Sequence, residues 1–208
     1  MGVTSDLEKI EAEMKSLALQ ARLELTEKEG KFNPDWQNYT SGHLIRTAEY
    51  AEGIAKVLKL DDETTKLIWL GCNLHDAGKI YVGNDLILSN KKFSEAEKTE
   101  IRKHPEYGIK WLEKNTDISR VPKEIINIIL HHHEDWNDNG YPSGLKMGHT
   151  PYVARLARVA DSWDAITADR PYMKAMKRED AAKDMEKRSG IKYEPTIVNA
   201  LLVSVGMR

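Results

Sequence analysis

Apolar residues recur every three or four positions along most of the chain. From Asp6 to Glu29 the series Leu7, Ile10, Met14, Leu17, Ala21 and Leu25 predicts one long amphipathic helix. The segment Gly30 to Thr40 (GKFNPDWQNYT) is turn-rich and predicts a break before the main body. Ser41 to Leu60 carries Leu44, Ala48, Ala51, Ala55 and Leu58 on one stripe, and Asp61 is placed to cap a following helix that reaches about His75. Ser94-Glu95-Ala96-Glu97 has the form of a capping box opening a helix toward His104. Pro122 begins another helix, which ends at the triplet His131 to His133. Thr150-Pro151 has the cap-then-proline order of a helix start, and that helix continues to about Ala168. Two shorter helices, Arg178 to Arg188 and Pro195 to Val205, are separated by Gly190. Strand signals are weak, and only Ile80 to Leu88 (IYVGNDLIL) has the composition of a short extended segment. The predicted fold class is all-α: an N-terminal amphipathic helix over residues 1–30 and a compact helical body over 31–208.

Composition narrows the functional classes. The 208 residues are enough for one substantial core, with 31% charged and 40% hydrophobic residues. A net charge of −2 argues against general duplex nucleic-acid binding but leaves room for a small anion held by a few local cations. Cys72 is the only cysteine, so no internal disulfide can form, and no apolar run is long enough to span a bilayer. A cytoplasmic enzyme or binding protein is the expected class. The N-terminal helix is expected to pack on its own domain; a homodimer contact or a link to another domain are the alternatives for it.

Metal-type residues stand at separated places: His43, His75-Asp76, His104, the triplet and Asp161. Imidazole and carboxylate together suit Fe, Mn, Zn, Co or Ni, and the lack of thiolates argues against a structural zinc site. His75-Asp76 ends an apolar helix, where two polar side chains project beyond the core. Asp161 lies on a helix with almost no polar face, and a buried carboxylate is costly unless paired or metal-bound. Pairing with Arg155 or Arg158 is the competing reading for it. His149 reads as a loop residue.

Helical phase separates the triplet. At about 100° per residue, Ile125, Ile126, Ile129 and Leu130 define an apolar stripe. His133 falls near the middle of that stripe and His132 at its edge, while His131 falls on the opposite side with Glu124 and Asn127. Two of the three are therefore predicted to face the interior.

Taken in order, these residues resemble the HD-GYP branch of the HD-domain metal-dependent phosphohydrolases, from roughly Ser41 to Val203. His43 with Arg46 matches H-x-x-R, and His75-Asp76 with Gly78-Lys79 matches H-D-x-G-K. His104-Pro105 with Gly108 matches H-P-x-x-G, and His132-His133-Glu134 with Gly140-Tyr141-Pro142 matches H-H-E and G-Y-P. Val159-Ala160-Asp161, Asp164-Ala165 and Arg170-Pro171-Tyr172 match V-A-D-x-x-D-A and R-P-Y.

The resemblance implies an HD-domain helical bundle with two divalent metals, commonly Fe or Mn. Asp76 would bridge them. His43, His75 and Asp161 would serve one metal, and His104, His132 and His133 the other. A hydroxide shared by the metals would attack a phosphodiester. Lys79 would add charge at a phosphoryl oxygen, and Tyr141 and Arg170 would contact substrate. The implied substrate is a cyclic dinucleotide, cyclic di-GMP first, giving pGpG or GMP.

Some positions depart from the family pattern. Tyr39 stands where some members carry a third-metal glutamate, which keeps the expectation at two metals. The usual D-G-x-G-Y-P reads Asn137-Asp138-Asn139-Gly140-Tyr141-Pro142, K-P-G reads Ser89-Asn90-Lys91, and Met173 follows R-P-Y. Alternatives are an HD hydrolase of another nucleotide or phosphoester, a non-hydrolytic nucleotide- or partner-binding module, and a di-iron oxygenase.

Overall fold

The structure, a computed structural model, describes the backbone of residues 2–32, 39–87, 92–169 and 174–208 and, within the first stretch, the side chains of 8–31. Its helices are α1 (Gly2–Phe32), α2 (Tyr39–Val57), α3 (Asp62–Leu74), α4 (Asn84–Ile87), α5 (Glu95–Ile101), α6 (His104–Asn115), α7 (Lys123–His131), α8 (Tyr152–Thr167), α9 (Arg178–Arg188) and α10 (Pro195–Ser204). Among the described residues there is no strand, only the isolated bridges Asn137–Lys146 and Ser189–Tyr193. None of these helices is long and apolar enough to cross a membrane.

Local chemistry sets several boundaries as expected. The Asp61 carboxylate accepts the Thr64 N–H at 2.8 Å and starts α3. Ser94 and Glu97 form the reciprocal capping box of α5. Other expectations need correction. Gly30 does not end α1, which runs on to Phe32, because the helix is held by packing rather than by intrinsic preference. Of the segment read as extended, Ile80 and Tyr81 close a 3-10 turn (Ala77–Tyr81), residues 84–87 form α4, Val82 between them has extended backbone angles, and Leu88 lies outside the described residues. Thr150 does not cap α8: Pro151 takes the cap position, with no side-chain hydrogen bond. The buried face of α7 is Ile125, Ile128 and Ile129 rather than the stripe with Ile126 and Leu130.

Two apolar clusters hold the bundle. One gathers α2, α8, α9 and α10 around the fully buried Trp163. The other packs Met14, Leu17, Ala18 and Ala21 of α1 against Leu70, Leu74 and Trp111. Helices α3 and α7 belong to both, through Ile68 and Ile128 on one side and Leu70, Ile125 and Ile129 on the other. Their C-terminal ends therefore come together where the clusters meet.

The apolar stripe of α1 is spent on its own chain, and its polar residues are tied in as well. Trp111 donates its indole N–H to Glu24 at 3.1 Å, and Gln20 donates to Asn115 at 2.8 Å. Buried Glu29 accepts the Thr40 backbone N–H at 3.1 Å and the Thr40 hydroxyl. The Lys28 ammonium donates to the carbonyls of Lys79 and Ile80, each at 2.8 Å, and to that of Val82. Helix α1 thus grips both the first turn of α2 and the turn that follows α3. Leu19 and Leu23 stay on its outer face, 51% and 60% exposed.

Lys28→Met should leave these carbonyls without their donor at a half-buried place. The expected cost is about 2–3 kcal/mol, a fall of roughly 4–12 °C in Tm for a chain of this size, measurable by thermal unfolding.

Candidate metal centre

Each metal-type residue is delivered by the end or the inner face of a helix. His43 lies one turn into α2. His75 is the C-cap of α3, and Asp76 follows as the N-cap of the 3-10 turn. His104 opens α6 with Pro105 beside it, His132 is the C-cap of α7, and Asp161 lies on the inner face of α8. Gly78 permits the closest approach: a Cβ there would lie 1.9 Å from the His104 carbonyl oxygen and 2.4 Å from the Gly108 nitrogen. Only glycine lets the turn after α3 press onto the start of α6, which brings Asp76 to His104.

Asp76 divides its two oxygens between two sets of histidines. Its Oδ1 is 3.2 Å from His104 Nε2 and 3.8 Å from His132 Nε2. Its Oδ2 is 3.5 Å from His75 Nε2 and 3.7 Å from His43 Nε2. Asp161 Oδ1 joins the second set, 3.1 Å from His43 Nε2 and 3.9 Å from His75 Nε2. His133 belongs with Asp76, His104 and His132: one ligand atom from each lies within 4.8 Å of the others. The same spacing unites His43, His75 and Asp76.

Outer hydrogen bonds fix the imidazole tautomers. Nδ1 of His75 donates to the Cys72 carbonyl at 2.7 Å, that of His104 to the Ile101 carbonyl at 2.8 Å, and that of His132 to the Ile129 carbonyl at 3.0 Å. Each Nε2 is then a lone pair aimed inward. His43 Nδ1 faces Asp164 Oδ2 at 2.7 Å, and Asp164 is clamped by Arg46 Nε at 2.6 Å.

These residues fit a divalent cation on several observations. His104 Nε2 and His132 Nε2 stand 3.2 Å apart although both hold lone pairs, an arrangement that repels unless a cation lies between them. His75 Nε2 and Asp76 Oδ1 are buried without hydrogen-bond partners. Burial, then the neighbouring imidazoles, holds His132 and His133 well below the usual histidine range. Burial would raise Asp76 and Asp161, but Lys79 with His75 and His104 at Asp76, and His43, His133 and His75 at Asp161, outweigh it and keep both carboxyls far below their usual range. Neutral imidazoles and ionised carboxylates are the forms that bind metal. His43 is the exception: burial opposes its charge, yet Asp161 and Asp164, one on each ring nitrogen, raise it to about 9. A metal at Nε2 would take the place of that proton.

The cluster floors a cavity of about 310 Å³. Lys79, Arg158 and Tyr141 line it, and Val82, Leu86 and Phe93 give it an apolar side. Lys79 Nζ is paired with Asp76 Oδ2. Tyr141 stacks on His133 with centroids 4.6 Å apart and planes 20° apart. Glu134 holds the loop that carries Tyr141, accepting the Ser143 and Leu145 N–H groups at 2.7 and 2.9 Å. Gly140 lets that loop fold back, since a Cβ would lie 2.2 Å from the Asp135 nitrogen. Where the family pattern has its first loop glycine, Asp138 itself adopts φ 69°, a left-handed conformation.

The structure thus brings together His43, His75, Asp76, His104, His132, His133 and Asp161, with Lys79 and Tyr141 at the rim. Arg170, like Ser89 to Lys91 and Met173, lies outside the described residues. His131 does not face solvent as expected: its side chain is 13% exposed, and its Nδ1 is 3.8 Å from Glu134, turned from the cluster. The arginines weighed as partners of Asp161 are engaged mainly elsewhere, Arg155 with Glu194 and Arg158 with Asp135. Reading the sequence missed Arg158, Asp135 and Glu134 as parts of the site. Arg158 carried one usable signal, a cation one helical turn before Asp161 on a buried helix.

Comparison with known proteins agrees with this geometry. The family model described as HD domain matches residues 13–197. The chain is 31% identical over 169 residues to the cyclic di-GMP phosphodiesterase PA4108 of Pseudomonas aeruginosa, covering 81% of this chain and 40% of that protein. It is 30% identical over 164 residues to the 3'3'-cGAMP-specific phosphodiesterase 2 of Vibrio cholerae, covering 78% of this chain and 31% of that protein. The chain therefore spans well under half the length of these relatives. The solved structure of Bd1817, an HDG"Y"P protein from Bdellovibrio bacteriovorus, superposes with a TM-score of 0.64 at 26% identity, covering 80% of this chain and 52% of that one.

Metal analysis of single variants tests the division within the triplet. His133→Ala should lower the metal content by about one ion per chain, and His131→Ala should leave it within about 10% of the parent; equal losses would contradict the assignment.

Proposed function

We propose that this chain, which belongs to the HD domain family, is a metal-dependent phosphodiesterase that linearises a cyclic dinucleotide, with cyclic di-GMP the first candidate and pGpG or GMP the product. One observation carries the reading: Asp76 turns one oxygen to His104 and His132 and the other to His75 and His43. It does so among His43, His104, His133 and Asp161, which line a cavity together with Lys79 and Tyr141. A carboxylate in that position is built to bridge two cations. We assign His43, His75 and Asp161 to one divalent metal and His104, His132 and His133 to the other, with Fe or Mn the expected ions.

Bound there, the metals would supply an activated water at neutral pH and positive charge for the phosphoryl oxygens. The chain's own groups do the rest. Asp164, held by Arg46, keeps His43 Nε2 aimed inward, and backbone carbonyls do the same for His75, His104 and His132. Lys79 sits beside Asp76 and is placed to move onto a non-bridging phosphoryl oxygen, a charge-assisted contact that strengthens as charge builds. The Tyr141–His133 stack walls the cavity on one side, and Val82, Leu86 and Phe93 give a face against which a nucleobase can lie. The names of the relatives include both cyclic di-GMP and 3'3'-cGAMP phosphodiesterases, so both dinucleotides belong in the assay.

Anaerobic loading with Fe or Mn, followed by incubation with cyclic di-GMP and 3'3'-cGAMP and mass identification of products, tests the proposal. Two metals per chain and a linear product are expected. Asp76→Ala should lower turnover by roughly a thousandfold or more, and Lys79→Ala should lower kcat by about a hundredfold. A fully loaded protein that opens neither ring would overturn the assignment, and a metal content near one per chain would contradict the bridged pair.

A further inference from the structure

A second permanent cation shares the cavity with Lys79. Arg158 stands on α8 one turn before Asp161, with its side chain only 13% exposed. Its Nε and Nη2 both reach Asp135 Oδ1, at 3.1 and 2.7 Å. Its Nη1 is 3.3 Å from Ser162 Oγ and 3.9 Å from Asp161 Oδ2. The Tyr193 ring lies 5.8 Å from the guanidinium carbon. A guanidinium offers five N–H donors, and these contacts leave part of the Nη1 edge free. Among the described residues lining the cavity, Lys79 and Arg158 are the lysine and arginine side chains.

Their situations differ. Lys79 is engaged with Asp76 at the reacting position. Arg158 is anchored from behind by Asp135, on the loop that follows His133, and presents its remaining edge to the cavity beside Ser162. An ion pair between Arg158 and Asp135 alone would not require the guanidinium to line that wall. A cyclic dinucleotide carries two phosphodiester charges, and only one of them can sit over the metal cluster at a time. The other leaves bulk water on entering the cavity, and a fixed cation with hydrogen-bond donors offsets that cost.

Building on the function proposed above, we infer that Arg158 is a specificity-determining residue that binds the second, non-reacting phosphodiester of the cyclic dinucleotide, with Asp135 as the positioning residue that holds the guanidinium. Sequence alone hid this role, because Arg158 read as a partner for Asp161. The pair sets a preference for dianionic ring substrates over single-charge diesters.

The test uses the metal-loaded full chain and the double variant Arg158→Met with Asp135→Asn, which leaves no unpaired buried charge. Steady-state kinetics on cyclic di-GMP and on the monoanion bis(p-nitrophenyl) phosphate are paired with calorimetric binding of cyclic di-GMP and with metal content. The ratio of kcat/KM for cyclic di-GMP over the monoanion should fall about tenfold, with most of the change in KM and a matching loss of binding. Arg158→Lys keeps the charge but loses the fork, so the ratio should fall only about threefold; this variant decides the matter if the double variant does not fold. An unchanged ratio overturns the role of Arg158 while leaving the phosphodiesterase reading intact. Equal losses on both substrates together with reduced metal content also overturn it, because Arg158 would then act by holding Asp161. A parent protein that hydrolyses the monoanion but neither binds nor opens cyclic di-GMP or 3'3'-cGAMP overturns both proposals.

Discussion

The site depends on one close approach: the turn after α3 pressing onto the start of α6 at Gly78. That contact puts Asp76 within 3.2 Å of His104 while the same carboxylate keeps its other oxygen on the His75 and His43 side. Any side chain at position 78 would collide with backbone, which cannot be moved without moving α6 itself. The histidines from α2 and α6 lie on opposite sides of the cluster, and this contact allows a single carboxylate to face both. Lys28 secures the far end of the same turn from α1. The N-terminal helix is therefore part of the frame that sets the position of Asp76.

Electrostatics explains why so polar a cluster can be buried. His43, His75, Asp76, His104 and His132 are each at most 4% exposed, where an isolated charge would be prohibitive. The C-terminal ends of α3 and α7 both end at the cluster and add the negative end of their dipoles, which favours a cation there. The outer hydrogen bonds to carbonyls direct the lone pairs of His75, His104 and His132 inward without burying further charge, and Arg46 offsets the buried Asp164 behind His43. The permanent cations Lys79 and Arg158 lie at the edge, where they balance the carboxylates without competing for the centre. The result is a cavity whose floor fits divalent cations and whose edge carries positive charge.

The loop after His133 shows how a departure from a sequence pattern can be absorbed. Asp138 takes the left-handed conformation that glycine would adopt more easily, and Lys146 pairs with its carboxylate at 2.8 Å. Glu134 and Gly140 still direct Tyr141 onto His133. The substitution that looked most disruptive in sequence thus leaves the tyrosine in the cavity wall.

Helix identity was legible in the sequence because the 3.6-residue period and the caps at Asp61 and Ser94 are local, and local hydrogen bonds determine them. The metal-type residues were legible for a related reason: polar groups on apolar helices, such as Asp161, have few uses other than chemistry. What needed the tertiary structure was everything set by distance between elements. The burial of Ile128 instead of Ile126 and Leu130, the end of α1 at Phe32 and the helical conformation of residues 84–87 follow from neighbours far along the chain. The clearest case is Arg158, whose partner Asp135 lies on another element. Sequence spacing supplied candidates on each helix by itself, because side-chain phase is a local property. Which oxygen of Asp76 faces which histidine, and which cations share the cavity, was decided by the packing of α2, α3, α6, α7 and α8, because Coulomb and coordination energies depend on separations of a few ångströms between residues distant in the chain.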